Sequence, residues 1–254
     1  MKTLTAKGLD IKAGERRLCE GLNLTLAPNQ CWAILGGNGS GKTTLLHTLA
    51  GLLPIINGDI HIDDSPITTL PRRTIAQQLG LLLQQSHDPF PTTVLETVLS
   101  GRHPHLGRWQ QEGDKDMAIA RDALALMDLT EMEQRMVQTL SGGERRRLSI
   151  ATLLTQAPQL LLLDEPLNHL DLHHQQQLLH HLRTLTEQGK TVVMVLHEPN
   201  QALRYCDSAL LLYGNGKWDS GECNELLTVE RLGRLYRHPM RLLQQGKERL
   251  FIPE

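Results

Sequence analysis

Aromatic side chains are scarce in this sequence of 254 residues, which holds two phenylalanines, three tyrosines and three tryptophans. A core with so few rings must be filled by Leu, Ile, Val and Ala. Cysteine is also sparse. Cys19, Cys31, Cys206 and Cys223 form no CxxC pair and no zinc-type spacing, which argues against a disulfide scaffold and fits a reducing compartment. No charge sign dominates: 26 Lys and Arg against 28 Asp and Glu leave −2, so the broad basic field of a non-specific nucleic-acid binder is missing. No stretch approaches the roughly 20 apolar residues of a membrane helix. The N-terminal MKTLTAKGLDIKAGERRL lacks the uninterrupted apolar run of a secretory signal. Repeats and low-complexity segments are absent too. The expectation is a cytoplasmic chain that meets a membrane only through a partner protein.

What is present is ordinary globular composition, 40% hydrophobic and 21% charged, at a length that suits one large α/β domain or a core carrying a subdomain. Leu22–Leu26 alternates as a half-buried strand, and Cys31–Leu35 is a continuous apolar run fit for a buried one. Leu45, Leu46, Leu49 and Leu52 then step at helical spacing through 43–53, with Pro54 as the stop. Gly58–Asp63 and Leu79–Leu83 read as strands on either side of a short helix over 71–78. Over 91–156 the character turns helical, with Met117, Ala120, Leu124 and Met127 following Asp114 as a candidate cap. Leu160–Leu163 and Thr191–Leu196, with a helix over 172–187 between them, predict two buried parallel strands joined by a crossover helix. The expected organisation is a catalytic α/β core over 1–86 and 158–223, a helical subdomain over 87–157 and a helical tail over 224–254.

Gly36, Gly37, Asn38, Gly39, Ser40, Gly41, Lys42 and Thr43 match GxxxxGK[ST], placed after a predicted strand and before a predicted helix as phosphate binding requires. Glycines let successive N–H groups face phosphate oxygens, the helix N-terminus adds a positive dipole, Lys42 reaches the outer phosphates and Thr43 can ligate Mg²⁺. Thr44 completes the candidate nucleotide-binding set. At the end of the run Leu160–Leu163, Asp164 is placed to hold Mg²⁺, and Glu165 to polarise the attacking water or take its proton. A DE pair after a leucine run is often only a solvated strand end; beside a phosphate loop it is the expected second half of the site. Ser141-Gly142-Gly143-Glu144, after Leu140 and before three arginines, opens a helix with a small hydroxyl and two glycines, which suits an anion and makes a good N-cap as well.

From Leu140 to Arg147 the sequence resembles the signature of the ATP-binding-cassette (ABC) transporter ATPases, and the other family elements follow in order along nearly the whole chain. The resemblance implies a P-loop NTPase core with a mainly parallel sheet, an N-terminal antiparallel β part and an inserted α-helical subdomain. It implies ATP and Mg²⁺ as cofactors, with Gln84 (Gln85 being the neighbouring alternative) as the Q-loop residue that joins Thr43 and Asp164 around the metal. Glu165 and His197 are then catalytic, His197 as the switch histidine, and Asp171 belongs to the D-loop Asn168-His169-Leu170-Asp171. A head-to-tail homodimer is implied, in which Ser141 to Glu144 of one copy cover the γ-phosphate held by the other. The stretch Gly101-Arg102-His103-Pro104-His105-Leu106-Gly107, after Pro89 to Val94, is similar to importer ATPases for iron–siderophore, haem and vitamin B12.

The implied partners are transmembrane permease subunits, a second copy of the chain and, indirectly, a periplasmic or surface substrate-binding protein, with the chain peripheral on the cytoplasmic face of the cell membrane and no nucleic acid expected. The alternatives are an exporter ATPase, a ribosome- or chromosome-associated ABC ATPase, and a regulatory module that binds ATP without hydrolysing it; the set Lys42, Asp164, Glu165 and His197 argues against the last. One position departs from the family. Ala13 stands where an aromatic often stacks on adenine, which leaves Arg16 or Arg17 as the candidate for that contact. His173, His174, His180 and His181 pair seven residues apart, roughly 10 Å along a helix, too far to share an ion; they read as a solvated face.

Overall fold

The computed structural model describes residues 2–84, 91–246 and 248–254. Its twelve described strands are β1 (Leu4–Ala13), β2 (Arg16–Leu26), β3 (Cys31–Gly36), β4 (Asp59–Ile62), β5 (Ser65–Pro66), β6 (Leu79–Leu82), β7 (Leu160–Leu163), β8 (Thr191–Val195), β9 (Ser208–Leu212), β10 (Trp218–Glu222), β11 (Met240–Gln245) and β12 (Glu248–Pro253). The described helices are α1 (Lys42–Leu49), α2 (Arg72–Gln78), α3 (Val94–Leu99), α4 (Asp114–Leu126), α5 (Gly142–Gln156), α6 (Leu172–Glu187), α7 (Pro199–Tyr205), α8 (Cys223–Leu226) and α9 (Val229–Tyr236).

An antiparallel sheet in the order β2-β1-β4-β5 packs beside a six-stranded sheet in the order β10-β9-β3-β8-β7-β6, parallel except for β10. The continuous apolar runs make sense once both faces of this second sheet are covered. Successive side chains of a strand point to opposite faces, so Trp32 and Ile34 of β3, Leu160 and Leu162 of β7, and Val193 and Val195 of β8 join one core with α1 and the antiparallel sheet. Their neighbours Ala33, Leu35, Leu161, Leu163, Val192 and Met194 join the other, with α6, α7 and the helical segment α3 to α5. The parallel β7–α6–β8 unit is as the leucine and valine runs predict.

Four expectations are corrected. Helix α1 ends at Leu49, not Leu53, because Gly51 turns at φ 67 and leaves Leu52 exposed. The sixth strand stops at Leu82, with Leu83 exposed. The cap of α4 is Gly113, whose N–H donates to Asp116 Oδ2 (3.1 Å); Asp114 is the first helical residue. The tail over 224–254 is not all helix. After α9 the chain pairs β11 with β12, reversing at Gly246 (φ 61), a backbone conformation that glycine adopts without strain. Asn200 of α7 pins this hairpin: its Oδ1 accepts from Phe251 N (2.8 Å) and its Nδ2 donates to Phe251 O (2.9 Å), fixing the buried Phe251 ring on the core. The strands β9 and β10 are an addition to the expected elements, although Gly214-Asn215-Gly216 between them is a strong hairpin signal; β9 flanks the phosphate-loop strand directly.

All four cysteines are free and buried. Cys31 Sγ and Cys206 Sγ lie 3.6 Å apart, and burial pushes Cys19 and Cys223 up to about 12.

Candidate functional site

Strand β3 is buried along its whole length and delivers Gly36 to the rim of the sheet, where the loop 36–41 wraps into the first turn of α1. Gly41, the N-cap, has φ 102, and a Cβ on it would stand 2.9 Å from Leu18 Cβ, so neither the backbone conformation nor the space admits a side chain. Lys42 is buried at 6% exposure, and its Nζ donates to Gly36 O (2.8 Å) and Gly37 O (3.1 Å), across the mouth of its own loop. Burial lowers its pKa, while Glu165 and Asp164 nearby act in the opposite direction. Ser40 Oγ is buried without a hydrogen-bond partner.

At the same rim the end of β7 presents Asp164, which is fully buried. Neither carboxylate oxygen has a hydrogen-bond partner. Burial raises its pKa, the neighbouring Thr43 hydroxyl works the other way, and Glu165 raises it further. An orphaned, buried carboxylate beside a threonine hydroxyl on a helix N-terminus is the donor chemistry of a Mg²⁺ site. The residues present fit that ion.

Glu165 follows with φ 47, a left-handed conformation that costs a non-glycine residue about 1–2 kcal/mol. Its carboxylate is the meeting point of three loops. Oε1 lies 2.8 Å from His197 Nε2, after β8, while Oε2 accepts from Gln84 Nε2 (3.0 Å), after β6, and from Asn168 Nδ2 (2.5 Å). Gln84, Glu165 and His197, some 30 to 110 residues apart in sequence, are therefore brought together as the motif order requires. Asn168 is a member of the cluster that sequence reading had not picked out as a contact; its signal was only the D-loop resemblance. Gln85 lies outside the described residues.

Ser141 caps α5 in a reciprocal box: Ser141 Oγ accepts from Glu144 N (3.3 Å), and Glu144 Oε2 accepts from Ser141 N (2.6 Å). These bonds hold Glu144 below the usual carboxylate range. The hydrogen bonds of Ser141 and Glu144 stay at this helix start and on Arg135, and Gly142 is exposed with nothing within 4 Å of where its Cβ would stand. Gly143 sits against the D-loop, where an added Cβ would be 3.0 Å from His169 O. Asp171 is the N-cap of α6, accepting at Oδ1 from His174 N (2.9 Å) and paired with the His174 ring (2.8 Å). In the segment 101–107, Arg102 is buried and donates to Asp116 Oδ1 (2.8 Å) and Thr155 O (3.0 Å), and His105 Nε2 bonds Gln156 O (2.9 Å). These residues knit the helical segment together.

The two arginines proposed for the base part company. Arg17 pairs with Glu20 (2.7 Å) on the surface. Arg16 donates through Nε (3.2 Å) and Nη2 (2.9 Å) to Gly214 O, after β9, and its Nη1 lies 3.8 Å from the position of a Cβ on Gly39 in the phosphate loop.

A family model described as "ABC transporter" matches residues 19–168. The chain is 36% identical over 237 residues to the petrobactin import ATP-binding protein FpuD of Bacillus anthracis, covering 93% of this chain and 87% of the relative. It is 37% identical to the hemin import ATP-binding protein HmuV of Hahella chejuensis, covering 90% of each. Among solved structures it superposes with a TM-score of 0.85, at 32% identity, on a chain of an inward-facing putative metal-chelate type ABC transporter, covering 100% of this chain and 98% of that one.

Proposed function

The chain belongs to the ABC transporter family as an ATP-binding, ATP-hydrolysing subunit, and from that premise we propose that it drives import of a metal chelate of the iron–siderophore, haem or cobalamin type. The observation that carries the hydrolytic reading is the convergence of Gln84, Asn168 and His197 on the Glu165 carboxylate, at the rim where Lys42 and Asp164 also lie. The cargo class rests on relatives named for petrobactin and hemin import, matched over nine-tenths of the chain.

The backbone N–H groups of 36–41 and the N-terminus of α1 cradle the phosphates, with Lys42 swinging from its loop carbonyls to the outer phosphate oxygens. Thr43, Asp164 and Gln84 would hold Mg²⁺, which supplies charge compensation at the phosphate oxygens. Glu165 accepts the proton of the attacking water. His197 holds that carboxylate in line and reaches the γ-phosphate, and Gln84, on the segment after β6, reports the state of the site to a permease. Ser141 and Gly143 of a second copy close the γ-phosphate from above, with Asp171 of the D-loop at the seam. No described helix is long and apolar enough to cross a membrane, in keeping with a peripheral subunit on the cytoplasmic face of the cell membrane.

Copurification of this chain from native membranes tests the reading. A permease together with a siderophore-, haem- or cobalamin-binding protein is the expected result. Recovery with an exporter's membrane domain, or with ribosomes or DNA, would overturn the import assignment.

We assign Arg16 to the place of the missing aromatic: its guanidinium is held by Gly214 O, and its Nη1 lies 3.8 Å from the position of a Cβ on Gly39 in the phosphate loop. Substitution Arg16→Ala is expected to weaken ATP binding about tenfold, the worth of one charged hydrogen bond. Arg17→Ala is expected to leave it unchanged. Nucleotide titration of both variants decides; equal losses, or none at Arg16, would sink the assignment.

A further inference from the structure

Three consecutive arginines follow the signature, and each is tethered to a different part of the chain. Arg145 donates to Leu140 O (3.1 Å) and Gln138 O (2.9 Å), just before α5. Arg147 donates to Met127 O (2.8 Å) and Asp128 O (3.1 Å), at the end of α4. Arg146 points the other way, into the catalytic core. It is buried at 6% exposure; Nη1 donates to Leu83 O (2.6 Å) and more weakly to Gln84 O (3.5 Å), and Nη2 donates to Asp164 O and Glu165 O (both 2.6 Å). One guanidinium thus gathers the carbonyls at the ends of two adjacent parallel strands, β6 and β7, where Gln84 and Glu165 begin their loops.

Glu165 is the residue held at φ 47, and Arg146 grips the carbonyls on both sides of that torsion. Asn168 N also donates to Glu165 O (3.2 Å). A strained torsion persists only where its surroundings over-determine it, and this pair of bonds is that surrounding. The tether runs from the same rigid helix whose first residues are the signature, five positions before Arg146. We infer that Arg146 is a positioning residue that makes the reactive geometry of Glu165 depend on the orientation of α5, so that docking of the signature helix and placement of the base in the same chain are one event. The inference rests on Glu165 acting as the base.

A planar fork of five donors can span two carbonyl pairs, whereas the lysine ammonium is a point donor on a flexible stem. Arg146→Gln and Arg146→Lys are therefore both expected to lower kcat for ATP about ten- to a hundredfold, the scale of a small misplacement of a reacting group. KM and nucleotide Kd should move less than about threefold, because no ground-state contact to nucleotide is lost. In single-turnover measurements, Arg146→Gln should add no further loss in a Glu165→Gln background, because it acts through that carboxylate. Thermal melting of each variant confirms folding, and the lysine variant, which keeps charge and length, guards against collapse of the glutamine one. Unchanged kcat in both variants, parallel loss of affinity and kcat, or an additive loss in the double variant would each overturn the inference. Normal turnover in Glu165→Gln alone would instead overturn the assignment of the base, and is read from that variant without reference to Arg146.

Discussion

Replacement of Glu165 by glutamine is expected to cut the ATP turnover number about 10²- to 10⁴-fold, the usual contribution of a positioned general base. The variant keeps the side-chain volume and an oxygen for the His197 contact at 2.8 Å, but it loses the ability to take a proton and turns an NH2 group toward the Gln84 and Asn168 amides that donate to Oε2. Nucleotide affinity should accordingly stay within about threefold of the parent. With hydrolysis blocked, the ATP-bound pair should persist as a dimer. Measured by phosphate release and by sedimentation in the presence of ATP, the outcome separates two roles for the cluster: turnover near the parent value would leave Glu165 as a structural anchor for Asn168 and Gln84.

Asp164→Asn should act in two directions at once. Metal-dependent hydrolysis should be lost, because the orphaned carboxylate is the one anionic ligand among the residues placed at the ion. The nucleotide-free protein should, however, become more stable. Asp164 has its folded pKa raised by burial above the ordinary 3.8, so the unfolded chain ionises first. Stability associated with this group is present at low pH and lost as pH rises from about 4 through the folded pKa. The asparagine variant, which cannot ionise, should melt with the parent near pH 4 and above it at pH 8. An unsatisfied buried group costs about 1–3 kcal/mol, and a chain of this size shifts by about 2–4 °C per kcal/mol, so the gap is several degrees. Addition of Mg²⁺ and ATP should close it by raising the parent alone. A variant that melts below the parent at pH 8 would show that the carboxylate is satisfied in solution.

The candidate site was largely legible in the sequence because each of its motifs is contiguous. Gly36 to Thr43 sits in eight residues with a strand before and a helix after, and the signature in another five; local spacing carries that chemistry. The strands on which the site is built were legible for a related reason, since a leucine or valine run between turns has few ways to be buried. What escaped reading needs distance in space. Arg146 looks like one of three surface arginines until the ends of β6 and β7 arrive on one side of it. Arg16 and Arg17 are indistinguishable until Gly214 selects one. The hairpin Met240–Gln245 and Glu248–Pro253 was read as helix because its arginines, glutamines and leucines are good helix formers, and the deciding contact, Asn200 to Phe251, comes from fifty residues away.

The buried cysteines have a practical side. Thiol reagents attack the thiolate, and a thiol that is both shielded and raised in pKa reacts slowly. Cys19, Cys206 and Cys223 are all raised by burial or by a neighbouring thiol, and Cys31 is buried with them. A single cysteine introduced at an exposed position such as Leu172, at the start of α6, would therefore take a maleimide dye or a spin label almost alone. The native background should be dark, so that the separation of the two proposed copies through a cycle of ATP turnover would be measurable in an otherwise unaltered chain.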